Sequence, residues 1–153
     1  MKLPFQIDLT GKVVVVTGAG GVICSVLAEA MAMTGAKVAL LDLNEEAAKK
    51  HADDITAKGY IAKGYKCNVL EKASVQEARD QIAADFGTCD ILINGAGGNN
   101  PKATTDDEYF VPEDLGQMKT FFDLDADGVS FVFSLNFMGT LIPVSYTHLR
   151  AHE

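Results

Sequence analysis

The chain lacks several features that would point to other classes of protein. No run of about 18 consecutive apolar residues occurs, so we expect neither a membrane-spanning helix nor a membrane partner. Residues 1–12 contain no apolar signal core, which favours a cytoplasmic protein. Basic residues are few: 13 Lys and Arg stand against 21 Asp and Glu, for a net charge of −8. Nucleic acid is therefore an unfavourable partner, because its phosphates would be repelled.

Cysteine is also scarce. Cys24, Cys67 and Cys89 are scattered along the chain and lie in or near predicted core elements. This pattern favours buried free thiols over disulfides or a metal site. The 153 residues favour one domain, and the apolar fraction of 48% with a charged fraction of 22% is typical of a soluble globular protein.

The most informative segment that is present is a run of four valines followed by a glycine-rich turn. Val13–Val16 predicts a strand buried on both faces, and the turn Gly18–Gly21 leads into an apolar-periodic helix over 22–34. This unit binds nucleotide pyrophosphates, because glycines allow close backbone approach and the helix N-terminus offers free N–H groups. We therefore expect Gly18, Gly20 and Gly21 to admit a dinucleotide, with a plain tight turn as the alternative.

A second strand, over 37–43, carries an acidic residue at its end. Asp42 lies 24 positions after Gly18, near the spacing at which an acid meets the adenosine ribose. Its charge would repel a 2′-phosphate, and no Arg lies nearby in the sequence. The sequence therefore predicts NAD rather than NADP, although a solvated strand end is the other interpretation of Asp42.

Strand and helix patterns alternate along most of the chain. Alternation of this kind predicts right-handed crossovers and a parallel sheet covered on both faces. We expect an α/β fold, namely the N-terminal part of a Rossmann-type doubly wound sheet, with the less apolar third strand nearer an edge. The predicted strands cover 12–17, 37–43, 61–68 and 90–94, and the helices cover 22–34, 45–58, 72–86 and 128–142. Between them, 99–107 and 121–127 are predicted as loop or connector and 112–119 as a short helix.

The last ten residues differ from the rest in composition. Val144–Glu153 reads VSYTHLRAHE and contains two of the three histidines. The string matches one reading frame of a common sequencing adapter. We therefore expect 144–153 to be an adapter-derived artefact and 1–143 to be a partial NAD-binding domain, the alternative being a natural helical tail.

Four segments, in order, resemble the short-chain dehydrogenase/reductase family. The resemblance covers nearly all of residues 1–143. The segments are the opening strand Leu9–Gly18, the turn Thr17–Cys24, the strand ending Asn94–Gly97 and the helix segment Leu135–Thr140. Three departures stand out: the second and third turn glycines fall at Val22 and Cys24, and Gly95 replaces the usual second Asn.

The resemblance extends the set of expected cofactor residues. It implies that Asn68 and Val69 line the adenine, the alternative being a loop without a binding role. It also implies that the end of the fourth strand supports the cofactor, the alternative being a turn that only ends the strand. The expected cofactor-binding residues are Gly18, Gly20, Gly21, Val22, Ile23, Asp42, Asn68, Val69, Asn94, Gly95, Ala96 and Gly97.

The resemblance also implies a hydride-transfer reaction between nicotinamide and a carbinol or carbonyl carbon. A Tyr assisted by a Lys acts as the acid/base in that family, a Ser orients the substrate, and a helix Asn holds a water. Asn136 matches that Asn, although an Asn bonded only to helix backbone is the alternative. Tyr146 and Arg150 have the family's Tyr–Lys spacing, but an arginine cannot simply replace the lysine.

The segments 95–101 and 120–141 resemble the D-mannonate oxidoreductase, or fructuronate reductase, branch of that family. The implied substrate is a small sugar acid or polyol, and the implied parent is a homo-oligomer. Residues 1–143 contain no equivalent of the catalytic Ser or the Tyr-x-x-x-Lys pair. We therefore expect a truncated, inactive fragment, with a stand-alone nucleotide-binding module as the alternative.

A truncated chain of this kind would expose a sheet edge and a Phe-rich helix face. We expect a marginally stable, aggregation-prone product. Thermal unfolding and sedimentation of residues 1–143 would check this expectation, and a cooperative transition of a soluble monomer would contradict it.

Overall fold

The protein is a Rossmann-type α/β domain, seen in a computed structural model that describes residues 7–148. A parallel sheet of β1 to β4 is connected largely by α-helices. Its strands are β1 Val13–Thr17, β2 Lys37–Asp42, β3 Ile61–Lys66 and β4 Ile91–Ile93. The helices are α1 Val22–Met33, α2 Glu45–Thr56, α3 Lys72–Asp85, α4 Ala126–Phe133 and α5 Gly139–His148, with a π-helical segment, Ser134–Met138, joining the last two.

The sheet has the order β3-β2-β1-β4, and every pairing is parallel. The fold class predicted from the sequence is confirmed, including the edge position of the third strand. The glycine turn after β1 and the acid at the end of β2 lie side by side, because Thr17 pairs with Leu41 in the register of these strands. The carboxyl ends of β1, β2 and β4 thus meet at one edge of the domain.

The valine run is buried on both faces, as its composition predicts. Val14 and Val16 face α1 and α2, whereas Val13 and Val15 face α3 and α5. All four valines are at most 6% exposed. Cys24 and Cys67 are buried free thiols, as expected, whereas Cys89 is half-buried and its thiol donates to Ile91 O at 3.3 Å. Residues 7–148 hold no cluster of His, Cys, Asp or Glu that could bind a metal.

Helix boundaries follow local signals that are visible in the sequence. The Asn44 side chain caps α2 by accepting a hydrogen bond from the Ala47 N–H at 3.2 Å. Gly59 and Gly87 adopt left-handed φ angles of 89° and 104° just after α2 and α3, the conformation that commonly ends a helix. β3 ends two residues before its predicted limit, because Asn68 Oδ1 accepts a hydrogen bond from Leu70 N–H and starts a turn.

The segment between β4 and α5 differs most from expectation. The short helix predicted over 112–119 is a single 3₁₀ turn, Pro112–Asp114. The last helix starts earlier than predicted because the Asp125 side chain caps α4, accepting a hydrogen bond from Gly128 N–H at 2.7 Å. It also continues through Pro143 to His148, so no element ends at the boundary proposed from the sequence.

The continuous helical run Ala126–Thr147 is long and apolar enough to cross a membrane, with a mean hydropathy of 1.4. It contains no run of about 18 consecutive apolar residues. Length and composition by themselves do not distinguish a membrane span from a helix that packs in a domain. Here Ile142 is 6% exposed against the sheet, and Asn136 is hydrogen-bonded to the loop after β4, so both contacts place this helix in the domain.

Candidate functional site

The turn after β1 depends on a glycine in a left-handed conformation. Gly18 has φ +68°, and a Cβ there would lie 2.8 Å from both Ala96 N and Gly95 O. The β1–α1 turn therefore lies so close to the backbone after β4 that any side chain at position 18 would clash with it. Two segments that are far apart in the sequence are thereby brought into one site.

Asp42 is tied to this turn by hydrogen bonds that the sequence does not reveal. Its Oδ2 accepts from Gly20 N–H at 2.9 Å, and its Oδ1 accepts from Asn44 N–H at 2.8 Å. A Cβ on Gly20 would lie 2.8 Å from Asp42 Cγ. An ionised carboxylate has about four lone-pair sites, so Asp42 keeps capacity for the hydroxyls of a ribose while it shapes the turn.

The N–H groups of Gly20 and Gly21 are already hydrogen-bonded within the protein, unlike those at the start of α1. Gly20 N–H is bound to Asp42, and Gly21 N–H donates to Gly18 O at 3.1 Å. The first helical hydrogen bond of α1 runs from Ser25 N–H to Gly21 O. Val22 and Ile23 therefore lie in the first turn, where N–H groups have no helical acceptor, and both are more than 75% exposed.

Asn68 and Val69 follow β3 at the same edge of the sheet. The Asn68 amide is partly engaged: Oδ1 accepts from Leu70 N–H at 3.1 Å, and Nδ2 donates to Glu71 Oε1 at 2.8 Å. The Val69 side chain is 6% exposed and packs in the core. The backbone of Val69, the second lone pair of Asn68 Oδ1 and the second N–H of Asn68 Nδ2 thus remain for a base.

Thr17 links the two halves of the site, a role not recognised from the sequence. It is fully buried, and its Oγ1 accepts hydrogen bonds from the N–H groups of Gly95 and Ala96, both at 3.1 Å. A polar residue at the end of an otherwise apolar buried strand is the signal that would have indicated it. Asn94 contrasts with Thr17, because its buried Oδ1 has no hydrogen-bond partner within residues 7–148.

Asn136 projects from the π-helical segment onto the loop after β4. Its Nδ2 donates to Gly98 O at 2.7 Å and to Val132 O at 2.8 Å, and its Oδ1 accepts from Gly98 N–H at 3.2 Å. A Cβ on Gly97 would lie 2.7 Å from Asn136 Oδ1. The predicted Asn and the predicted loop are therefore in direct contact, and π-helical insertions of this kind are frequent at functional sites.

Replacement of Asn136 by Ala should loosen this loop. Two backbone groups of Gly98 lose their partner, and each such loss costs about 1 kcal/mol. We expect Asn136→Ala to lower the free energy of unfolding by about 1–3 kcal/mol and to increase amide exchange over 95–99. Thr140→Ala, one turn away with only a bond to Asn136 O, is the control, and equal effects in both variants would contradict the assignment.

Tyr146 lies away from this site. Its hydroxyl donates to Lys72 O at 3.2 Å, and its ring lies 5.8 Å from the Arg79 guanidinium. Both partners belong to α3, on the opposite side of the sheet from α1. The other member of the apparent Tyr–Lys-like pair, Arg150, lies outside the described residues. Tyr146 is thus not brought to Asn136 by a contact of its own.

Sheet order, glycine turn and adjacent acid together define a Rossmann-type domain. The family profile "short chain dehydrogenase" matches residues 12–147. The chain belongs to the short-chain dehydrogenase family.

Individual relatives agree with this assignment. An uncharacterized oxidoreductase of Haemophilus influenzae is 55% identical over 143 residues, which is 94% of this chain and 50% of that protein. A sorbose reductase of Candida albicans is 38% identical over 90% of this chain and 50% of its own. The chain thus spans about half the length of the curated relatives that it matches.

Solved structures show the same half-length similarity. A crystal structure of a candidate D-mannonate oxidoreductase from Haemophilus influenzae with bound NAD has a TM-score of 0.88 and 54% identity, covering 94% of this chain and 51% of that one. An NAD⁺-bound xylitol dehydrogenase has a TM-score of 0.73 and 32% identity, covering 91% of this chain and 47% of its own.

Proposed function

We propose that this chain is the NAD-binding part of an NAD-dependent oxidoreductase that acts on a sugar acid or polyol, specifically the D-mannonate/D-fructuronate pair. The observation that carries the proposal is the hydrogen bond from Gly20 N–H to Asp42 Oδ2, because it holds a carboxylate that would accept the ribose hydroxyls beside the open N–H groups of α1. The similarity to a candidate D-mannonate oxidoreductase crystallised with NAD supports both the cofactor and the substrate class.

The geometry suits the adenosine half of a dinucleotide. Val22 and Ile23 would donate N–H groups to the pyrophosphate, aided by the positive end of α1. Asp42 would accept both ribose hydroxyls and repel a 2′-phosphate, while the side-chain amide of Asn68 and the backbone of Val69 would border the adenine. Gly95, Ala96 and Gly97 would let the cofactor cross the ends of the strands. When bound, NAD supplies hydride transfer at the nicotinamide ring.

We further propose that the chain lacks the catalytic half of its parent. Residues 1–143 contain no Tyr followed four positions later by Lys. Asn94 Oδ1 is buried without a hydrogen-bond partner among residues 7–148, and β4 is an outer strand of the described sheet. Both observations support a missing neighbouring segment. Three phenylalanines of α4 and the π-helical segment are exposed, namely Phe131, Phe133 and Phe137. Their exposure supports a full-length protein in which the remaining chain, or a second subunit of a homo-oligomer, covers this apolar surface.

The stand-alone module is the second candidate function, favoured by the continuous helix that passes Pro143 without a break. The proposed parent is cytoplasmic, without a nucleic-acid or membrane partner. The two candidates differ in the genomic DNA beyond codon 143. A frame that continues to a Ser and a Tyr-x-x-x-Lys supports the oxidoreductase, whereas a natural stop codon there supports the module.

A cofactor titration tests the central proposal. Calorimetry of the 153-residue chain with NADH and NADPH should show binding of NADH and weaker binding of NADPH. Equal affinity for both would contradict the role of Asp42, and no affinity for either would contradict cofactor binding by this chain. For the uninterrupted gene product, NADH oxidation with D-fructuronate, compared with simple ketoses, tests the substrate.

A further inference from the structure

Two departures from the family motif meet in space. The glycine expected in the first turn of α1 is Cys24, and the asparagine expected after β4 is Gly95. A Cβ built on Gly95 would lie only 2.2 Å from Cys24 Sγ, and 3.6 Å from Cys24 Cβ. The sulfur thus occupies the space in which a side chain at position 95 would begin, and each departure accommodates the other.

This contact lies between the helix start and the strand end that form the proposed cofactor site. Cys24 directly follows Val22 and Ile23, whose N–H groups face the pyrophosphate in the proposed function. Gly95 N–H donates to Thr17 Oγ1 at 3.1 Å, and Gly95 therefore cannot move away from β1 without breaking that bond. The Cys24 sulfur therefore packs against a backbone segment that the hydrogen bond to Thr17 holds in position.

The thiol is suited to packing rather than to reaction. Cys24 is 8% exposed. Burial, and secondarily the negative charge of Asp42, raise the pKa of the thiol above its ordinary value, so it stays protonated at neutral pH and is a poor nucleophile. A neutral sulfur in a dry contact acts through its size and shape.

We infer that Cys24 and Gly95 are a size-matched pair of positioning residues that sets the distance between the start of α1 and the end of β4. This inference rests on the proposed function where it concerns the cofactor. A larger residue at 95 pushes α1 outward and turns the N–H groups of Val22 and Ile23 away from the pyrophosphate. A smaller residue at 24 removes the closer of the two clashes that a Cβ at 95 would make, and the other, with Thr17 O at 2.9 Å, remains.

A double-mutant cycle tests the pair. The variants are Gly95→Ala, Cys24→Ala and both together, made in the 153-residue chain, with Cys89→Ala as control for loss of a thiol elsewhere. The readouts are NADH affinity by calorimetry, amide hydrogen exchange over 18–25 and the thermal midpoint. We expect Gly95→Ala to weaken NADH binding about tenfold or more. The affinity of the double variant should recover to within about threefold of that of the unmutated 153-residue chain, and the Cys89→Ala control should bind as the unmutated chain does.

The outcomes separate this inference from the proposed function. If the double variant is no better than Gly95→Ala, the Thr17 carbonyl, 2.9 Å from the same Cβ, is the limiting contact and the pair is overturned. If Gly95→Ala does not fold, a cooperative transition regained in the double variant supports the pair. If amide exchange shows coupling between positions 24 and 95 but the unmutated 153-residue chain does not bind NADH, the pair stands and the proposed cofactor role fails. Coupling in stability with NADH affinity unchanged overturns the positioning role.

Discussion

Replacement of Asp42 by Ala should weaken NADH binding by about 10- to 100-fold, because hydrogen bonds to a charged group contribute about 1.5–3 kcal/mol. The variant removes the proposed acceptor for the ribose hydroxyls. It also removes the Oδ2 that holds Gly20 N–H at 2.9 Å, so the turn loses an anchor at the same time. Calorimetric titration with NADH measures the combined effect.

Two further variants separate charge from shape. Asp42→Asn keeps one acceptor oxygen but removes the negative charge, so the preference for NADH over NADPH should shrink because the 2′-phosphate is no longer repelled. Asp54→Ala removes an equal charge from the exposed surface of α2 and should leave both affinities unchanged. If Asp42→Ala bound NADH as tightly as the unmutated chain, the ribose would have to lie elsewhere.

Replacement of Gly18 by Ala should cause the largest loss of stability among single changes in the turn. The left-handed φ of +68° costs an alanine about 1–2 kcal/mol. Its Cβ would also lie 2.8 Å from Ala96 N and Gly95 O, and relieving such a backbone clash costs about 1–3 kcal/mol more. We expect a loss of about 2–5 kcal/mol in the free energy of unfolding, measured by urea denaturation.

Gly59→Ala is the matched control for this variant. Gly59 also has a left-handed φ, +89°, but a Cβ there would meet no atom within 4 Å. It should show only the conformational penalty of about 1–2 kcal/mol. Similar losses in both variants would mean that the turn after β1 does not press against the segment after β4.

Much of the architecture was predictable because local patterns carry it. The valine run and the alternation of strands and helices predicted a parallel sheet, and the predicted helix starts at 22, 45 and 72 match those of α1, α2 and α3. The extent of the last helix was predicted poorly. Its cap, Asp125, lies in a polar connector that resembles a loop, and its π-helical segment carries Asn136, which contacts the loop after β4.

The sequence indicated which residues form the candidate site, but it did not indicate the hydrogen bonds between them. Gly20 N–H donates to Asp42 and Gly21 N–H donates to Gly18 O, two hydrogen bonds that the sequence does not reveal. Thr17 was overlooked because its two acceptor contacts come from residues 78 and 79 positions away. Such long-range contacts have no periodic signal in a single sequence.

The sequence by itself determined the order of the strands along the chain, the faces they bury and the acid that ends β2, because hydrophobic periodicity and turn chemistry act between near neighbours. Only the tertiary structure decided that Gly18, Gly95 and Cys24 share one crowded contact and that Asp42 holds the turn beside it. These features depend on distances between segments joined through the sheet, and packing at the ends of parallel strands sets those distances.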